Sequence, residues 1–242
     1  MFDPFGDFAT AGYLRNHEGE KDLDLIKIAE HQLFRAQLPA ALDFLAGVKD
    51  VDYAAFLEVH RILFDGLYPW AGQDRQSLVP DKHVTKGNVH FSHPSECRRA
   101  VEYGLQLAQT ADGIKKSPGL IMGLFAYGHP FLDGNGRTML VVHSELCHRA
   151  DISVDWTQTQ KNAYLTALTA EIESPDQGHL DKYLAPFLGP RIERHVWHES
   201  IPGLRGLDGV RAGADSVASY QDPAVAREYD AFERARNYRI PG

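Results

Sequence analysis

The sequence predicts a mainly helical body carrying one small β flap. Three observations support that reading. Apolar residues recur at helical spacing through several separate stretches. One central segment loses that period and is broken by proline and glycine. One later stretch is apolar on more than one face, as a helix in the middle of a bundle must be. The scale fits: 242 residues, 43% hydrophobic and 24% charged, can bury one large core or a core with a modest appendage.

The first 20 residues mix aromatics, glycine and polar groups without a sustained period. Over 21–37, Leu23, Ile26, Ala29, Leu33 and Ala36 fall at helical spacing, and Pro39 is placed to end or kink that element, with 40–45 adding a turn or two. A second helix starts from Asp52, an N-cap residue type, and carries Tyr53, Phe56, Val59, Ile62 and Leu63 until Gly66. From 68 to 94, Pro69, Gly72, Pro80 and Gly87 punctuate the chain. The alternating stretches 76–79 and 88–91 predict a two-stranded hairpin there, too short to stand without the helical body. Ser95 is placed to cap a helix reaching about 109, and Ser117-Pro118 opens another that stops near Gly128, because proline is tolerated at the first helical position. The stretch 135–148 holds Met139, Leu140, Val141, Val142, Leu146 and Cys147 and reads as the central helix. Helices over 157–171 and 176–188 complete the body. Beyond Gly189 the composition loosens, with glycines at 203, 206, 209 and 213, before a charged helix over Pro223–Arg236. The expected organisation is a helical domain over 1–190, with its flap at about 73–94 and a loop at 129–137, followed by a partly helical extension over 191–242.

Charge and cysteine usage exclude several classes. A net charge of -8 argues against a bulk electrostatic grip on nucleic acid or anionic lipid. Cys97 and Cys147 lack metal-site spacing and read as buried thiols, so a reducing cytoplasm is the expected setting. The amino terminus shows no basic segment leading into an apolar one, and no run approaches the roughly 20 apolar residues that span a bilayer. The P-loop, serine hydrolase and zinc protease signatures are absent.

The chemistry concentrates in His129-Pro130-Phe131-Leu132-Asp133-Gly134-Asn135-Gly136-Arg137. Here an imidazole, a carboxylate, two glycines and a guanidinium occupy a tight loop between two apolar helices. Free N–H groups at the start of the second helix form an anion site, and Gly134 and Gly136 let a ligand approach the backbone closely. Arg137 in that first turn is unfavourable to the helix dipole unless a phosphate neutralises it, and arginine grips phosphate with paired hydrogen bonds. Asp133 supplies a hard oxygen suited to Mg²⁺ held jointly with phosphate. His129 can take a proton from an attacking hydroxyl. Asn135 either orients the phosphate or pins the loop. Gly-Asn-Gly alone is merely a turn; the joint pattern at a helix–loop–helix junction points to a phosphate or nucleotide site.

These nine residues resemble the active-site motif of the Fic domain family, His-Pro-Phe-x-Asp/Glu-Gly-Asn-Gly-Arg-x-x-Arg. Upstream, His60-Arg61-Ile62-Leu63-Phe64 and then Leu67-Tyr68-Pro69-Trp70-Ala71-Gly72 resemble the family's segment before the flap. The likeness extends over about residues 3–190. It implies an all-α, Fic-type helical bundle that transfers a nucleotidyl group, most often AMP from ATP, to a Ser, Thr or Tyr hydroxyl of a target protein. Carried over position by position, His129 is the general base, Asp133 the Mg²⁺ ligand, and Gly134, Asn135, Gly136 and Arg137 the nucleotide-phosphate contacts, with Arg137 also catalytic. The target is expected to dock along the flap as an added strand.

One position departs from the pattern: Leu140 stands where the family has its second arginine. A guanidinium lost there removes an outer-phosphate contact and the partner of the family's inhibitory glutamate. Three outcomes follow: a looser grip on ATP, another phosphate-containing donor, or a catalytically inactive module that binds an extended peptide. The family's inhibitory Ser/Thr-x-x-x-Glu-Gly/Asn is not matched, since Leu14 precedes Glu18-Gly19 and the spacing of Ser219 and Glu228 is wrong. A separate antitoxin-like inhibitor is therefore a further expectation. Lys82, Lys86 and Arg75 are read as solvated flap charges, His83, His90 and His93 as polar flap residues, His60 as a buried core histidine, and Tyr68 and Trp70 as anchors of the flap's base.

Overall fold

The computed structural model describes residues 1–110, 112–175, 177–201 and 215–241. In chain order the helices are α1 (Phe8–Ala11), α2 (Leu23–Gly47), α3 (Tyr53–Phe64), α4 (Arg75–Leu78), α5 (Cys97–Gln109), α6 (Gly113–Lys116), α7 (Pro118–Gly128), α8 (Asn135–Arg149), α9 (Lys161–Glu173), α10 (His179–Leu184), α11 (Arg194–Ser200) and α12 (Pro223–Arg236). The strands are β1 (Lys82–Lys86), β2 (Val89–His90), β3 (Ile152–Val154), β4 (Leu188–Pro190) and β5 (Asp215–Ser219). The fold is the expected all-helical bundle with a small β flap.

Helix α8 runs through the centre, with a near-continuous buried surface from Arg137 to His148. It packs against α2, α3 and α7, and α7 in turn packs against α5, α9 and α10. Asp22 caps α2 by accepting from the Asp24 and Leu25 amides, and Asp52 caps α3 by accepting from Ala55. Pro39 does not end α2, which continues to Gly47. Leu38, Ala41, Leu42 and Leu45 are all buried on either side of the proline, so core packing offsets the lost backbone hydrogen bond.

The flap differs from the sequence reading in its first strand. Residues 75–78 form a helical turn because Asp74 caps it through Ser77, and the strand begins at Lys82. β1 turns at Gly87, with φ of 59°, and pairs antiparallel with β2. Its other edge is taken by β5, antiparallel, from Lys82↔Ser219 to Lys86↔Asp215. β3 and β4 make a separate two-stranded sheet. The helix expected from Ser95 opens earlier, where the His93 ring accepts from the Ser95 amide.

The carboxy-terminal helix α12 has the predicted bounds and packs on the body. Its Arg236 donates to Ile172 O at 2.9 Å, and Tyr127 donates to Glu233 at 2.7 Å. The glycines at 203, 206, 209 and 213, and Asp176, lie outside the described residues. No helix among the described residues is long and apolar enough to cross a membrane.

Candidate active site

The loop between α7 and α8 is built by three clamps. Helix α7 stops because His129 adopts a left-handed conformation, φ 41° and ψ 56°, while its N–H still bonds Phe125 O. Arg75 is the first clamp: fully buried, it donates to His129 O at 2.7 Å, Ser92 O at 2.9 Å and Gly128 O at 3.3 Å. Its own amide donates to Pro130 O. The expectation of a solvated flap charge is therefore corrected for Arg75, because the cation satisfies carbonyls at the end of α7. Lys82 does sit in a surface ion pair, with Asp81, and Lys86 reaches from the surface to the largely buried Asp215.

The second clamp is His60, buried as expected. Its Nδ1 accepts from Gly72 N at 2.9 Å, so Nε2 carries the hydrogen and donates to Asp133 O at 3.0 Å. Burial pushes its pKa down to about 3, and the neutral ring stacks on Phe131 at 3.7 Å. The third clamp is Asn135. Its Oδ1 accepts from Phe131 N at 2.9 Å and its Nδ2 donates to Phe131 O at 2.7 Å, so these contacts pin the loop and only its backbone amide faces a ligand-binding role. Gly134 completes the turn at φ 76°, where an added Cβ would lie 2.6 Å from the Phe64 ring.

On this frame the chemical groups are set. His129 is half-buried and stacks on Phe91 at 3.6 Å. Its enclosure, followed by the charges of Arg75 and Lys86, holds its pKa well below the ordinary histidine value, so the ring is neutral near pH 7. Asp133 accepts from Gly134 N at 2.7 Å and from Lys27 Nζ at 2.5 Å. Burial pushes its pKa up, but Lys27 and then Arg137 outweigh that and hold the carboxyl well below its usual range. Arg137 lies 2.7 Å from Glu30 and 3.7 Å from Asp133. Glu30 is fully buried and also meets Lys27 at 3.2 Å and the Tyr68 hydroxyl, which donates at 3.3 Å.

The arrangement suits a phosphate. The buried Arg137 Nη1 has no protein partner, and nothing lies within 4 Å of where a Gly136 Cβ would sit. Open space thus adjoins the first turn of α8, where backbone donors are otherwise unpaired. A divalent metal on Asp133 does not fit the residues as they stand, because it would have to displace the Lys27 ammonium from one carboxylate oxygen while the Gly134 amide holds the other. Leu140, at 6% exposure, belongs to the core.

Sequence reasoning did not find Lys27 and Glu30 as members of the site. They stand among ordinary helical charges and reach Asp133 from 106 residues away and Arg137 across the bundle. Trp70 does anchor the flap's base, donating to Leu14 O at 2.7 Å, whereas the hydroxyl of Tyr68 reaches into the charged cluster. His83 and His90 bond each other at 3.1 Å, and no cluster that could hold a metal occurs among the described residues. Both cysteines are buried and free.

Residues 50–147 match the model of the Fic/DOC family. The chain is similar to the protein adenylyltransferase VbhT of Bartonella schoenbuchensis, 28% identical over 168 residues, covering 66% of this chain and 34% of that protein. It is also similar to the probable protein adenylyltransferase y4lH of Sinorhizobium fredii, 26% identical over 164 residues, covering 64% of this chain and 81% of that one. The chain thus matches about a third of the first relative's length and about four-fifths of the second's. Among solved structures it shares its fold with the BepC protein of Bartonella tribocorum with bound AMPPNP, at a TM-score of 0.58 and 17% identity over 73% of this chain and 92% of that one. The N-terminal FIC domain of Bep8 from Bartonella sp. 1-1C gives a TM-score of 0.62 and 14% identity over 75% and 91%.

Proposed function

We propose that this chain, whose residues 50–147 match the Fic/DOC family model, is a Fic-type enzyme that transfers a nucleotidyl group, AMP from ATP in the simplest case, to a Ser, Thr or Tyr hydroxyl of a target protein. The observation that carries this reading is the pairing of a neutral His129 with an arginine that keeps an unpartnered, buried donor at the start of α8. The chain's similarity to a protein adenylyltransferase and to a probable protein adenylyltransferase supports it.

In this reaction Arg137 Nη1 and the first backbone amides of α8, including those of Asn135 and Gly136, hold phosphate oxygens. The target hydroxyl attacks the α-phosphorus and gives its proton to His129. The bond from that phosphorus to the bridging oxygen breaks, pyrophosphate leaves, and the target keeps AMP. Catalysis comes from positioning and from fixed donors at the developing charge. Gly134 contributes by shaping the turn. Magnesium, the expectation attached to Asp133, meets Lys27 in its place, and no step is assigned to it.

The donor's outer phosphates are the weak point of the grip. Charge-assisted hydrogen bonds are worth about 1.5–3 kcal/mol. In the folded protein Leu140→Arg is therefore expected to tighten ATP binding by roughly 10–100-fold, at a cost in stability because Leu140 packs in the core. Calorimetric titration measures this, and an unchanged affinity would show that position 140 does not face the outer phosphates.

Target docking along the flap must contend with β5, which already pairs with β1. In our reading β5 holds the place that an extended target segment takes. Consecutive residues of an edge strand point their amides alternately toward and away from the partner, so prolines at both Val217 and Ala218 remove at least one ladder bond. That double variant is expected to raise target labelling severalfold at unchanged ATP affinity. Labelling that stays level or falls would place docking elsewhere. A separate inhibitory partner acting through a glutamate would find Leu140 where the second arginine is expected, and Arg137 already held by Glu30.

A further inference from the structure

We propose that Lys27 is the resident cation of the phosphate site, standing on Asp133 where a divalent metal is expected, so that nucleotide binds without one. This deepens the nucleotide-site reading and rests on it. Lys27 is fixed by its helix: it follows Ile26, at 2% exposure, and stands one turn before the fully buried Glu30. Its ammonium has three N–H donors. Asp133 takes one at 2.5 Å and Glu30 a second at 3.2 Å. The third remains for a phosphate oxygen, and a lysine acts on phosphate as a point charge, with no demand for a planar fork.

Charge balance and geometry both disfavour a metal beside it. Lys27 and Arg137 are matched by Asp133 and Glu30, two positive charges against two negative. A divalent ion on Asp133 would place two further positive charges next to the ammonium on the same carboxylate, and like charges at such range repel strongly in a partly buried site. It would also need near-octahedral oxygen ligands at about 2.1 Å. The Asp133 oxygens are engaged by Lys27 and the Gly134 amide, and Glu30 is engaged by Arg137, Lys27 and Tyr68.

The test is calorimetric binding of ATP to the intact chain in excess EDTA and in excess Mg²⁺, for the wild type and for Lys27→Met. The wild type is expected to bind with dissociation constants within about threefold of each other in the two buffers. Lys27→Met is expected to lose at least about tenfold in EDTA and to recover part of that with Mg²⁺, because removing the ammonium frees the carboxylate. Manganese alone, followed by electron paramagnetic resonance, should find no tight site in the wild type and one in the variant. Wild-type binding that falls tenfold or more in EDTA overturns the proposal while leaving the nucleotide site standing. No ATP binding in either buffer overturns the nucleotide reading together with it. The wild-type comparison needs no variant, so a Lys27→Met chain that fails to fold does not remove the test.

Discussion

His129→Ala is expected to lower covalent transfer by about 10²–10⁴-fold, the usual contribution of a positioned general base, while ATP affinity and the thermal midpoint stay near those of the wild type. The separation is possible because of where the ring stands. It stacks on Phe91 and is half-buried, and the loop is held through backbone groups of residue 129 by Arg75 and by the end of α7. The imidazole can thus be removed with its supports in place. The pH profile offers a second readout. Enclosure of the ring, then Arg75 and Lys86, keep its pKa well below 6.5. A base with a lowered pKa keeps its acceptor form as pH falls, so the rate is not expected to drop on His129's account between pH 8 and 6. A drop with an apparent pKa near the ordinary histidine value would show that the ring titrates as an exposed one.

Arg75→Met is the largest stability change expected. The guanidinium is fully buried and satisfies the carbonyls of His129, Ser92 and Gly128, with no carboxylate in ion-pair range among the described residues. Methionine fills much of the volume but donates nothing. Gly128 O keeps its bond from Ser92 Oγ, but the His129 and Ser92 carbonyls lose theirs. Each buried acceptor left without a partner costs about 1–3 kcal/mol, so a loss of roughly 2–6 kcal/mol is expected. Denaturant unfolding measures it against Arg98→Met, an exposed arginine whose loss should stay within about 0.5 kcal/mol. Equal effects from the two variants would contradict the clamp. A second consequence follows, since the same contact positions the His129 backbone: Arg75→Met should impair transfer beyond what the folded fraction accounts for.

What the sequence made legible follows the range of each interaction. Helix bounds set by local capping and periodicity were readable: Asp52 caps α3, Ser117-Pro118 opens α7, and α12 spans the expected residues. The motif loop was readable because its chemistry lies within nine consecutive positions. Contacts that cross the chain were not. Lys27 and Glu30 look like any solvated pair on an amphipathic helix, and only the packing of α2 against α8 brings them to Asp133 and Arg137. Arg75 sits in a polar, proline-broken segment, and no local signal marks a cation that will be buried beneath carbonyls. β5 offers a weak strand pattern, Asp215-Ser216-Val217-Ala218-Ser219, and gains its structure from β1, some 130 residues earlier. Pro39 shows the reverse case, in which a strong local signal yields to burial on both sides.

The most direct measurement of the central claim is a pair of labelling reactions with purified protein and lysate, one using ATP labelled at the α-phosphorus and one at the γ-phosphorus. Transfer of a nucleotidyl group predicts stable label on protein from the α-labelled donor alone, absent with His129→Ala. Label arriving only from the γ-position would mean phosphoryl transfer, and no label from either form of ATP would mean that the loop does not transfer AMP from ATP; either result would contradict the account.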